Sequence, residues 1–156
     1  MKITIALLCD DVRRESNGKE LLIGVYGNRI ILPSFPMALN LTVWMRALFR
    51  RPGPAKIEVR VIDDRGQAIL PTITAEVLSP PEIKDESTII LGAAPFQLHG
   101  PARIAYQWRP PDGEWKEIVG IKVEQGGPEK IGKEINVPSS TVSAQPSSQS
   151  PAGAQR

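Results

Sequence analysis

The sequence predicts an all-β protein: a single antiparallel β-sandwich, Ig-like or C2-like, of about eight strands, followed by a disordered C-terminal tail. Three observations lead there. Apolar and polar residues alternate over short runs, the period of strands with one wet face. Turn residues interrupt those runs at short intervals, with 13 Gly and 15 Pro in 156 residues, as in a sandwich or barrel. No stretch reads convincingly as a helix.

The opening run alternates Ile3, Ile5, Leu7 and Cys9 with Lys2, Thr4 and Ala6, which predicts a strand burying the first set. Ala6 to Pro33 then reads as the opening hairpin. Its connector holds Asn17-Gly18, a pair that tolerates the positive φ of a tight reversal. Leu21 to Val25 is continuously apolar, as in a strand covered on both sides or lying centrally in a sheet. Ile30 to Leu32 leads to Pro33 and Pro36, where the sheet must turn.

Met37 to Phe49 reads as one long strand, with Leu39, Leu41, Val43 and Met45 on one face and Asn40, Thr42, Trp44 and Arg46 on the other. Thr42, Val43 and Trp44 favour a strand over the competing helix. Arg50-Arg51-Pro52-Gly53-Pro54 stops it. Lys56 to Leu78 predicts a hairpin. Ile57, Val59 and Val61 point inward from one strand, and Ile73, Ala75 and Val77 from the other. Asp63-Asp64-Arg65-Gly66 forms the turn. Ser79 to Glu86 is a polar connection that carries the chain to the other sheet. Thr88 to Leu91 and Phe96 to Leu98 are short strands. Ile104, Tyr106 and Trp108 then alternate with Arg103, Gln107 and Arg109, and Trp115 to Glu124 returns after Pro110-Pro111-Asp112-Gly113. Gly113 is expected at positive φ in that turn. Val119, Ile121 and Val123 are expected in the core. The division is a β-sandwich over 1–125, a linker over 126–137 and a disordered tail over 138–156, rich in Ser, Pro and Gln, too poor in apolar side chains to offset its ordering entropy.

Cys9-Asp10-x-Val12, Asn17-Gly18-Lys19, Gly24-Val25-Tyr26 and Phe35-Pro36, in that order, resemble a bacterial family of short, uncharacterised β-sandwich proteins known only as a domain of unknown function. The resemblance covers Met1 to about Glu124. It implies the fold and a bacterial source. It implies no activity, so no functional residue is carried over.

A formal net charge of +2 gives no electrostatic case for nucleic acid, and charges of both signs are interspersed. The single cysteine excludes a disulfide framework within the chain and favours a reducing, cytoplasmic compartment. The apolar start is short for a signal peptide, is ended by Asp10-Asp11, and has the period of a strand. No run approaches a membrane helix. The expected partner is a protein, with neither nucleic acid nor membrane.

No catalytic, cofactor or metal residue is assigned. His99 sits in a turn with no local nucleophile or carboxylate. Cys9 reads as a small buried hydrophobe. Asp10, Asp11, Asp63, Asp64 and Asp112 invite a calcium reading. If every connection reverses direction, only Asp10, Asp11, Asp112 and Glu114 could converge, and turn propensity explains them all. Arg46, Arg50 and Arg51, near Trp44 and Phe49, would by the same parity share an end with Arg13 and Arg14. They would form a solvated rim or, less expectedly, an anion site. The reading is a non-catalytic binding or interaction module. The alternatives are a carbohydrate- or calcium-binding sandwich stacking its ligand on Trp44 or Trp115, and, more distantly, a small hydrolase.

Overall fold

The computed structural model describes residues 1–79, 86–92 and 95–127; the predicted tail and most of the linker lie outside them. The described residues are all-β and contain no helix. In chain order the strands are β1 (Lys2–Cys9), β2 (Asp11–Arg14), β3 (Glu20–Ile23), β4 (Arg29–Leu32), β5 (Met37–Leu39), β6 (Thr42–Leu48), β7 (Gly53–Ile62), β8 (Ile73–Ser79), β9 (Glu86–Gly92), β10 (Phe96–Leu98), β11 (Ala102–Arg109) and β12 (Lys116–Gln125). They divide among a five-stranded sheet in the order β4-β12-β11-β7-β8, a three-stranded sheet β1-β6-β9, and the pairs β10-β5 and β2-β3. Every ladder is antiparallel except β12 with β4.

The described residues form twelve strands where about eight were expected; two predicted elements divide, and Arg29–Leu32 is a strand in its own right. The opening hairpin is really β2–β3. Its reversal is closed by Gly18 N–H to Glu15 O at 3.0 Å and Glu15 N–H to Lys19 O at 2.9 Å, with Gly18 at φ +83°. β1 takes no part in that ladder and pairs with β6 instead. The long strand over Met37–Phe49 breaks at Asn40-Leu41 into β5 and β6, which lie in different sheets. Its alternation nevertheless runs through the break: Leu39, Leu41, Val43, Met45, Ala47 and Phe49 are all buried. A chain can change hydrogen-bonding partners while keeping one face on the core, because side-chain alternation needs only extended backbone.

One core cluster joins the sheets. Leu8, Val43, Met45 and Ile89 come from the three-stranded sheet; Val61, Ile104, Tyr106, Ile121 and Val123 come from the five-stranded one; Leu39, Phe96 and Leu98 come from β5 and β10. Tyr106 is fully enclosed and donates its hydroxyl to Leu41 O at 3.4 Å. Trp108 packs with Ile57 and Val59 in an adjoining cluster. Burying such rings contributes about 1.5–3 kcal/mol each. The β7–β8 hairpin forms as predicted around Gly66 at φ +76°. The carboxylate of Asp63 closes its turn, accepting from Arg65 N at 2.9 Å and Gln67 N at 2.8 Å. The turn after β11 differs: Asp112, not Gly113, has positive φ, at 61°.

Candidate functional site

The face of the three-stranded sheet that points away from the core is set by a bulge in β1. Ile3 opposes Ala47 and Ile5 opposes Arg46, which leaves Thr4 extra. An added residue reverses every later side chain. Ala6 and Leu8 therefore join the core, whereas Ile5 is 50% exposed. The predicted inward set Ile3, Ile5, Leu7, Cys9 is corrected accordingly: it holds only before the bulge. Beyond it, Leu7, Trp44 and Ile90 stand side by side across β1, β6 and β9. This is an apolar row on the outer face, and it ends on Ile90, which is 40% exposed.

Trp44 in this row is fixed from above. Its indole N–H donates to Glu20 Oε2 at 2.6 Å, and Arg14 donates to Glu20 Oε1 at 2.9 Å. Burial pushes the Glu20 carboxyl pKa up, but the hydrogen bonds from Trp44 and Arg14, the Arg14 charge and a bond from Thr88 outweigh it and hold the pKa below 4.5. The β2–β3 hairpin is thereby tied to β6. Leu21 and Val25, expected in a strand covered on both sides or central in a sheet, are 51% and 50% exposed; among the described residues β3 pairs only with β2, and Val25 lies beyond its end.

β9 is one edge strand of the three-stranded sheet and β8 one edge strand of the five-stranded sheet among the described residues. A largely apolar cleft of about 200 Å3 opens between them, lined by Val59, Leu70, Ile73, Ala75, Ile90 and Leu91 among others. Ile73 shares the inward face of Ala75 and Val77, yet it is 52% exposed because it stands at the mouth of this cleft.

The motif residues Cys9, Asp10, Gly24 and Tyr26 meet at one junction. Asp10 N–H donates to Ile23 O at 2.9 Å, and Tyr26 N–H donates to Leu8 O at 2.8 Å. The Tyr26 hydroxyl donates to the Asp10 carboxylate. Gly24, at φ +63°, lies so close that a Cβ there would come within 1.9 Å of Asp10 Oδ2. Tyr26 is pushed up to about 12, first by burial and then by the Asp10 bond and charge. The arrangement joins β1 to the segment after β3.

Cys9 is fully buried, as expected, but outside both core clusters. Its thiol is pushed up by burial and by the Asp10 and Asp11 charges, the reverse of what a nucleophilic thiolate needs. His99 is exposed, and the fold supplies what its local sequence lacks: Asp63 and Asp64 line the same broad pocket of about 420 Å3. Asp63 Oδ1 is already occupied by its own turn.

The convergence of Asp10, Asp11, Asp112 and Glu114 that the alternative calcium reading would need is not met. Met1, at the start of β1, packs beside Trp108 and Lys116. Asp10 follows the far end of a strand about 25 Å long, so Asp10 and Asp11 lie at the opposite end from Asp112 and Glu114. No group of three or more His, Cys, Asp or Glu among the described residues is placed to hold a metal ion. The shared arginine end is overturned too. β6 runs antiparallel to β1, with Cys9 opposite Thr42 and Lys2 opposite Leu48. Arg50 and Arg51 therefore sit at the Met1 end, away from Arg13 and Arg14. The parity argument failed because Arg29–Leu32 is a strand in its own right and adds a reversal. Trp115 carries two guanidinium groups over its ring, Arg60 at 4.1 Å and Arg109 at 4.5 Å from the centroid, so its stacking surface is engaged within the protein.

These features define an all-β domain with an apolar outer row, an open cleft between two sheet edges and an Asp10–Tyr26 junction. The chain belongs to a family described as "Family of unknown function (DUF6941)", whose model matches residues 4–124. No curated protein matches the chain. The matched span ends within β12. No helix among the described residues is long and apolar enough to cross a membrane.

Proposed function

We propose that this domain is a non-catalytic interaction module whose partner is a protein, engaged along the β9 edge and the apolar row Leu7–Trp44–Ile90. The observation that carries the reading is the place of Ile90. It ends a continuous apolar row, stands on a strand that is a sheet edge among the described residues and borders the cleft that holds Ile73. A free edge offers unpaired backbone groups to an incoming extended segment, and exposed apolar side chains beside it offer burial. A strand added to β9 would continue the row on one face and cover the cleft on the other. The fixed Trp44 would lose little side-chain freedom on binding.

A non-enzymatic role is supported by the enclosed thiol of Cys9 and by the commitment of Asp63 to its own turn. We also read the three- and five-stranded sheets as the two layers of one β-sandwich, since a single core cluster draws on both. A bacterial source rests on the family resemblance. A cytoplasmic setting rests on the lone cysteine.

The test is affinity capture from a lysate of the source organism with the full chain and two variants. The wild type and Leu21→Lys, altered on the exposed hairpin, retain the same partner; Ile90→Lys loses it. Equal capture by Ile90→Lys, or reproducible turnover in a hydrolase screen that is lost on His99→Ala, overturns the reading.

A further inference from the structure

A separate concavity lies at the Met1 end, away from the β8–β9 cleft, and encloses about 240 Å3. Its apolar floor includes Ile57 and Trp108, both buried. Arg50, Lys56 and Lys116 contribute three cations to its lining, and no carboxylate lines it. Glu76 stands opposite Lys56 in the β7–β8 ladder but does not line the cavity, and three other nearby carboxylates are engaged elsewhere. Glu58 accepts from Arg109 at 2.5 Å, Glu86 pairs with Arg46 at 3.0 Å, and Glu117 pairs with Arg103. None of the three lining cations is ion-paired among the described residues.

We propose that this pocket binds a small organic oxyanion, its apolar body resting on Ile57 and Trp108 and its carboxylate or phosphate held among Arg50, Lys56 and Lys116. Three like charges gathered around one cavity repel each other, and a bound anion relieves that repulsion. An arginine fork suits the paired oxygens of either group, while two lysines supply point charges that adapt to its position. The apolar floor lowers the local dielectric and strengthens the attraction. It also gives a reason to prefer an organic anion over a bare inorganic one. An apolar cavity of about 150 Å3 holds benzene, so the volume here suits one ring together with its acid group.

Backbone-amide NMR of the full chain, titrated with benzoate, phenyl phosphate, inorganic phosphate and benzyl alcohol, tests the site. Benzoate or phenyl phosphate shifts the amides of Lys56, Ile57, Trp108 and Lys116 saturably, and whichever binds tighter gives the acid class. Inorganic phosphate lacks the apolar body and benzyl alcohol lacks the charge; each binds about tenfold or more weakly. The Lys56→Gln, Lys116→Gln double variant changes only exposed side chains. It weakens the organic anions about tenfold while amides elsewhere keep their positions. Three results would overturn the proposal: no saturable shift, shifts unchanged in the double variant, or inorganic phosphate binding as tightly as phenyl phosphate.

Discussion

Trp44 donates its indole N–H to Glu20 Oε2 at 2.6 Å, and through that bond the β2–β3 hairpin is fastened to the outer face of the three-stranded sheet. Because the folded Glu20 has its pKa held below 4.5, its contribution to stability is present above the unfolded value and is lost as pH falls through the folded one. Denaturant midpoints measured on either side of pH 4.5 should therefore fall less steeply with acid in Glu20→Gln than in the wild type. Glu20→Ala should cost about 1.5–3 kcal/mol at neutral pH, the range for hydrogen bonds to a charged group. Equal acid sensitivity in wild type and Glu20→Gln would remove Glu20 from this role.

Gly24 and Gly18 make a matched pair of substitutions. Both have positive φ, at +63° and +83°. A Cβ at Gly18 meets nothing within 4 Å, whereas one at Gly24 meets Asp10 Oδ2 at 1.9 Å. Gly18→Ala should cost about 1 kcal/mol, the backbone penalty alone. Gly24→Ala should cost about 2 kcal/mol or more, because the Asp10–Tyr26 bond must also give way. Equilibrium unfolding of the two variants separates the terms, and equal losses would show that Asp10 moves aside freely.

At the turn after β11 the strained residue is Asp112, φ 61°. Asp112→Val should lower stability by about 1–2 kcal/mol, since a β-branched side chain fits that region poorly. Asp112→Gly should stay within about 0.5 kcal/mol of wild type, relief of strain being offset by a freer unfolded chain. Gly113→Val should also destabilise, but by collision: a Cβ there comes within 2.6 Å of Pro110 Cγ. A harmless Asp112→Val would refute the turn geometry.

Tyr26 and Tyr106 are the two tyrosines of the chain, and both resist ionisation. Tyr26 is pushed up to about 12 by burial and by Asp10, and burial raises Tyr106 further. A raised phenol pKa contributes stability that is complete below the unfolded value near 10.0 and lost as pH climbs through the folded one. Ultraviolet titration of the native protein should show little phenolate at pH 10.0, where an ordinary tyrosine is half ionised. Denaturant should release the signal. Appreciable native phenolate at that pH would contradict the enclosed environments.

Much of the fold could be read from alternation alone. β6, β7 and β11 bury the residues their period assigns, because a strand packed on one face keeps that period wherever its partners lie. Partners are what alternation leaves open. Nothing local in Asn40-Leu41 says that β5 pairs with β10 while β6 pairs with β1 and β9. Thr4 looks like any outward strand residue, yet as the bulged residue it turns Ile5 and Leu7 away from the core. Leu7 was illegible as a member of the outer row for that reason: its pattern marked it for the interior, whereas the period of β6 already placed Trp44 on the face opposite Val43 and Met45. Of the candidate site, Trp44 and Arg50 were visible as residue types. Their neighbours Ile90, Lys56 and Lys116 come from distant strands that only the tertiary pairing brings together.

The parallel ladder of β4 with β12, Arg29 opposite Lys122 through Leu32 opposite Gln125, has a consequence for the order of assembly during synthesis. β4 is made early, yet its sheet partner is the last of the described strands. Until that strand emerges, Ile30 and Leu32 belong to a segment with nothing to pair against, while β1 and β6, and then β7 and β8, already have theirs. Contacts that span nearly the whole domain are the slow ones to close, and an unpaired apolar strand is the kind of surface that sticks to neighbouring nascent chains. A nascent chain stalled before Lys116 would therefore expose β4 as its most vulnerable segment, and emergence of β12 is the event that shields it.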